Sequence, residues 1–195
     1  MKVRILFLIC FLSITCLLNA ADKPVIQIHT DNSSLIFRVA DNGRLYQSYL
    51  GKKLNHETDI SHLPQGTEAY ITHGMEDYFE PAIHILHNDG NPSLLLKYVS
   101  HETKAVSQGV NETIITLGDD KYPVTVKLHY VTYPAEDIIK TYTEISHKEK
   151  KPVVLHQYAS SMLHLNRAKY YLTEFAGDWA HAVSYTHLTL PTIRL

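Results

Sequence analysis

The chain has 195 residues, with 18 Lys and Arg against 20 Asp and Glu and a formal net charge of −2, a length that suits one sandwich-type domain around one hydrophobic core. Without a basic surplus, counterion-driven binding to nucleic acid or to an anionic membrane is excluded. Thirteen Tyr, with abundant Val, Ile and Thr, favour pleated strands over helices.

At the N-terminus, Lys2 and Arg4 precede an apolar stretch, 5–18, that is shorter than a bilayer span, which is the pattern of a secretory signal rather than a retained anchor. Cleavage after Ala20 is expected, giving a signal at 1–20 and export to the periplasm or beyond. Cys10 and Cys16 both fall inside this signal, so the mature chain has no thiol for a disulfide or a thiolate metal site. The run Leu12-Ser13-Ile14-Thr15 before Cys16 matches a lipidation signal poorly, and no lipid anchor is expected.

From Pro24 onward, short β-branched and aromatic runs alternate with turn residues, as in an antiparallel sandwich. Strands are predicted at 25–30, 35–40, 44–50, 82–86, 94–100, 112–117, 122–133, 138–146 and 153–165. Asp41-Asn42-Gly43 joins the second and third, with Asn-Gly expected to supply the positive φ angles of a tight hairpin turn. Further turns are expected at 88–91, 118–120 and 147–152. Val124, Val126, Leu128 and Tyr130 alternate with Thr125, Lys127 and His129, which places the first set in the core and the second toward water. The polar, His-rich segment 55–75 reads as a long loop, and the charged run 147–151 before Pro152 reads as a solvated hairpin tip.

The 13 His do not group into a ligand set, since there is no His-Glu-x-x-His. His156 and His164 are too far apart along one extended strand to share an ion. Phosphate-loop, dinucleotide and Gly-x-Ser-x-Gly patterns are missing, so no cofactor is implied. Two segments stand apart from the strand background. One, 70–82, holds Asp77 and Tyr78; the other, 171–181, holds Asp178 and Trp179, the single Trp. Aromatics beside carboxylates suit carbohydrate, because sugar C–H faces pack on rings while hydroxyls donate to carboxylates. Equally, Asp77 can fix a turn and Trp179 can fill core volume.

In order, these segments resemble the N-terminal domain of bacterial α-galactosidases of glycoside hydrolase family 36. The run Asn42-Gly43-Arg44-Leu45-Tyr46-Gln47-Ser48-Tyr49-Leu50-Gly51-Lys52 is similar to the family's early hairpin. Tyr70, Gly74, Asp77, Tyr78, Pro81 and Ala82 fit the family pattern Tyr-x-x-x-Gly-x-x-Asp-aromatic-x-x-Pro-Ala. Asn88-Asp89-Gly90, Leu96-Lys97-Tyr98-Val99-Ser100-His101 and Phe175-Ala176-Gly177-Asp178-Trp179 resemble later landmarks. Phe79 departs from the pattern, standing where many members carry Arg, and the loop before Tyr70 is shorter than in tetrameric members.

The resemblance implies an all-β fold, an antiparallel β-sandwich of the galactose-mutarotase-like supersandwich type, occupying 21–182 and lacking the (β/α)8 barrel that would follow. It implies a retaining glycosidase whose two carboxyl groups, about 5–5.5 Å apart, lie on that barrel, so no catalytic residue is expected in this chain. The partners implied are an α-galactoside oligosaccharide or glycan, the catalytic barrel of the same full-length chain and, as an option, further copies of itself. Asp77 with Tyr78 is the first candidate for the substrate rim, and Asp178 with Trp179 the second, at the domain interface. A free-standing carbohydrate-binding or interaction module is the alternative, and a mutarotase-like enzyme using a His and a Glu is a third reading for which the sequence offers no defensible pair. The stretch 183–195 resembles an adapter-derived translation and is set apart as a tail.

Overall fold

The structure, a computed structural model, describes residues 23–75, 79–165, 171–178 and 181–189, the last two stretches as backbone alone. The strands are β1 (Val25–His29), β2 (Ser33–Val39), β3 (Leu45–Lys52), β4 (Thr67–Glu68), β5 (Ile83–Leu86), β6 (Lys97–Ser107), β7 (Val110–Gly118), β8 (Val124–Tyr133), β9 (Ile138–His147), β10 (Val154–Tyr158), β11 (Tyr171–Asp178) and β12 (His181–Thr189), with one short helix, α1 (Glu57–Ser61). Two antiparallel four-stranded sheets, β1-β2-β3-β4 and β6-β7-β8-β9, form the body, and two-stranded pairs β5-β10 and β11-β12 complete it. The fold is an antiparallel β-sandwich.

The alternation in β8 builds the core as expected. Val124, Val126, Leu128 and Tyr130 are all buried, with Ile115 and Leu117 of β7 beside them and Ile26, Ile28, Leu35 and Phe37 from the facing sheet. The rings of Phe37 and Tyr130 meet across the sandwich, centroids 5.1 Å apart. The opposite face of β8 differs from its expected exposure: His129 is buried, because its ring stacks on Tyr142 and its Nδ1 is paired with Glu112.

Three other expectations are corrected. The turn at 41–43 uses a positive φ at Gly43 alone (φ 79), with Gly43 N–H donating to Ala40 O at 2.9 Å. Asn42 instead caps the turn, its Oδ1 accepting from Arg44 N–H at 2.9 Å. Segment 55–75 is no open loop, since it contains α1 and β4 and its apolar end, Ala69, Tyr70 and Ile71, is buried in the core. The tip at 147–152 is solvated except at Glu149, which is buried against His87 with Nδ1···Oε1 at 2.7 Å. Residues 183–189, set apart above as a tail, lie in β12, where the register pairs Ser184 with Ala176 and Thr189 with Tyr171.

Candidate functional site at the neck of the 72–83 loop

Tyr70 anchors the first candidate segment. It is buried, and its hydroxyl donates to Ala159 O at 2.7 Å; burial pushes the phenol up to about 12, so it serves as a neutral donor. Beyond it the chain makes a closed neck. Ala82 N–H donates to Ile71 O at 2.8 Å, His73 N–H to Ile83 O at 3.0 Å, and Thr72 bridges Ile83 in parallel. Gly74 turns out of the neck at φ 82, where a Cβ would lie 2.9 Å from Ser93 Cα, so the motif needs glycine for both its backbone angle and its close approach.

Asp77 and Tyr78, the first candidate pair, lie outside the described residues, as does Trp179. Asp178 is described as backbone, at the end of β11 opposite His181 of β12. The structure therefore describes the residues that flank Asp77 and Tyr78. On either side of them, Met75 lines a cleft with Asn91, Ser93, Leu95, Asp119 and Tyr122, and Phe79 stands exposed, 66 % accessible. The next residue, Glu80, accepts from Gln157 Nε2 at 2.8 Å, and the same amide donates to Pro81 O at 3.0 Å.

The segment from Val154 to Leu165 carries exposed apolar side chains that sequence reasoning did not foresee. Val154, Leu155 and Tyr158 of β10 and Leu163 and Leu165 beyond it are all exposed, Tyr158 to 65 %. These side chains follow from a broken strand: the run 153–165 was expected to be continuous, yet β10 ends at Tyr158 and pairs with β5 alone. β10 is exposed at Val154, Leu155, His156 and Tyr158, so it has no buried alternation for the sequence to record.

Sequence reasoning also missed the buried ionisable groups. Arg44 and Glu68 pair inside the protein, with Arg44 Nε donating to Oε1 at 2.8 Å. Glu112 accepts from Tyr142 Oη at 2.6 Å and is bonded to His129 Nδ1 at 2.9 Å, with Lys104 Nζ at 3.1 Å. These groups come from segments well separated in the chain, so only the pairing of the strands reveals them. His156 and His164 are separate: His156 lies against His84, whereas His164 Nε2 donates to Glu68 O at 2.7 Å. Among the described residues no group of three or more His, Cys, Asp or Glu is placed to hold a metal ion, and no helix is long and apolar enough to cross a membrane.

No curated protein matches the chain. Solved structures do. The α-galactosidase from Lactobacillus brevis superposes with a TM-score of 0.74 at 19 % identity, covering 87 % of this chain and 28 % of that one. The family 36 α-galactosidase AgaA from Geobacillus stearothermophilus gives 0.77 at 18 % identity, covering 87 % and 28 %, and variants of AgaA are known in complex with raffinose and with stachyose. The chain thus spans under a third of the length of these structures. At such identity they show the fold. The model of the glycosyl hydrolase family 36 N-terminal domain matches residues 40–191, and the chain belongs to that family.

Proposed function

We propose that the chain is the non-catalytic N-terminal β-sandwich of an exported α-galactosidase, which seats a catalytic barrel lying further along the same polypeptide and lends loop residues to the rim of its site. The observation that carries this reading is the run of exposed apolar side chains along one segment, Val154, Leu155, Tyr158, Leu163 and Leu165. Apolar patches of this kind mark surfaces that another body covers, and the relatives that share the fold are more than three times longer. Export is supported by Lys2 and Arg4 ahead of the apolar stretch 5–18. The substrate proposed is a terminal α-galactoside, after the raffinose and stachyose complexes of AgaA variants.

Within the rim, Asp77 would accept sugar hydroxyls and Tyr78 would pack on a sugar face; Asp178 and Trp179 would sit at the domain interface. The Tyr70 anchor and the closed neck support the first pair, because they fix both ends of the segment that bears it. Two measurements test the reading. The 195-residue chain should release no galactose from an aryl α-galactoside, and hydrolysis by it would overturn the non-catalytic role. In a full-length enzyme, Asp77→Ala should raise KM with expression unchanged; unaltered kinetics would remove Asp77 from the rim.

A further inference from the structure

Three imidazoles from three segments meet in a row beside the neck, the first pair stacked and the second tilted by 37°. His73 leaves the neck, His84 lies on β5 and His156 occupies the bulge of β10 between Leu155 and Gln157; ring centroids are 3.8 Å apart for the first pair and 4.8 Å for the second. The same three segments are tied by backbone bonds, from His73 N–H to Ile83 O, from Ala82 N–H to Ile71 O, and from Ala159 N–H to Ala82 O at 2.7 Å. β10 pairs with β5 alone, so this junction is one of the few contacts that hold it, beside Tyr70 Oη on Ala159 O and Gln157 Nε2 on Glu80 and Pro81 O.

Neutral rings attract at this separation, whereas two imidazolium ions repel. Among the described residues, the titratable groups that face His84 are His73 from the neck and His156 from β10. A second proton on these rings therefore meets a like charge within about 5 Å. Burial, and after it His73 and His156, hold His84 below the ordinary imidazole range.

We propose that His73, His84 and His156 form a proton-operated latch, which seats β10 and the neck on β5 while the rings are neutral and loosens that junction once the stack is protonated. The sign follows from linkage. A histidine held low in the folded state leaves the unfolded chain binding the proton more tightly, so the contribution of His84 is complete above about pH 6.5 and declines as the pH falls below it. The latch concerns the junction itself; only its consequence, that acid disorders the apolar docking band on β10, rests on the function proposed above.

The test is hydrogen-exchange protection at the His73, Ala82 and Ala159 amides of the 195-residue chain, at about pH 7.5 and about pH 5. Protection factors should fall about tenfold or more at the lower pH, beyond any change in amides of β7 and β8. His84→Phe keeps a ring in the stack without a proton site and should hold its protection within about twofold, while His84→Lys should lower it at both pH values. Equal protection of the natural chain at both pH values, or an equal fall in His84→Phe, would overturn the latch. If His84→Phe does not fold, NMR titration of His84 decides: a midpoint below the ordinary imidazole value supports the latch, and one at or above it removes it. Galactosidase activity enters none of these readouts, so failure of the functional reading and failure of the latch are separable.

Discussion

Glu112 shows how a carboxylate is kept charged with only 8 % of its side chain accessible. Its bond from Tyr142 contributes most, the bond to His129 next, and together with Lys104 they outweigh desolvation and hold it at about 2; the same contact pushes the Tyr142 phenol up to about 12. A depressed carboxylate stabilises the fold above its unfolded value and loses that contribution as the pH drops toward the folded one. Stability of the chain should therefore fall between about pH 4.5 and about pH 2 as Glu112 takes its proton. Tyr142→Phe should cost about 1–2 kcal/mol at neutral pH and flatten that acid slope, as urea unfolding followed against pH would show. An unchanged slope would assign the acid loss to other groups. Glu112 and His129 are 17 residues apart, and nothing in their local sequence connects them. Register alone does so: Glu112 faces Val131 and His129 faces Tyr142, making Glu112 and His129 diagonal neighbours on one face.

Elements were legible in proportion to how regularly they bury one face. The strands at β2, β7, β8 and β9 lie close to their expected ranges because each pairs with two neighbours or alternates over the core. The edge strand β6 extends to Ser107, beyond its expected end at Ser100, through the polar run His101 to Lys104 that shows no alternation. Its exposed Val99 and Val106 are the bulge residues, at the register shifts between Tyr98 and Ser100 and between Ala105 and Ser107. Bulges at both ends and charges between them discourage a second chain from adding to this edge. The opposite error occurred at 153–165, where a β-rich run leaves the sheet after Tyr158. There Gln47, fully buried, replaces ladder bonds by donating through Nε2 to His164 O at 2.8 Å and accepting from His164 N–H at 3.2 Å. Gln47→Leu would strip both bonds from the strap and should cost about 2–3 kcal/mol. Limited proteolysis within 159–165 should then accelerate, and unchanged cleavage would show that the strap is held by its other contacts.

At the scale of the molecule, the sandwich closes through contacts such as Phe37 on Tyr130. Both rings are buried, so Phe37→Ala should cost about 3–5 kcal/mol, seen as a lower urea midpoint with an unchanged slope. The apolar band predicts the reverse behaviour. Leu155→Glu with Tyr158→Glu alters side chains 42 % and 65 % accessible, and should suppress self-association of the isolated chain in light scattering while stability stays within about 0.5 kcal/mol. A large loss of stability would place these residues in a core rather than on a docking face.

Composition, alternation and turn residues determined by themselves that this is an all-β sandwich, and the ordered motifs from Asn42 through Ala82 to Trp179 carried its family. Those signals are local, set by which faces a strand buries and where a backbone needs glycine. Tertiary structure decided which strands lack neighbours, which carboxylates are buried with which histidines, and that His73, His84 and His156 form one stack. These features depend on register and on contacts between segments far apart in the chain, and a one-dimensional pattern holds no record of the distance across a sheet.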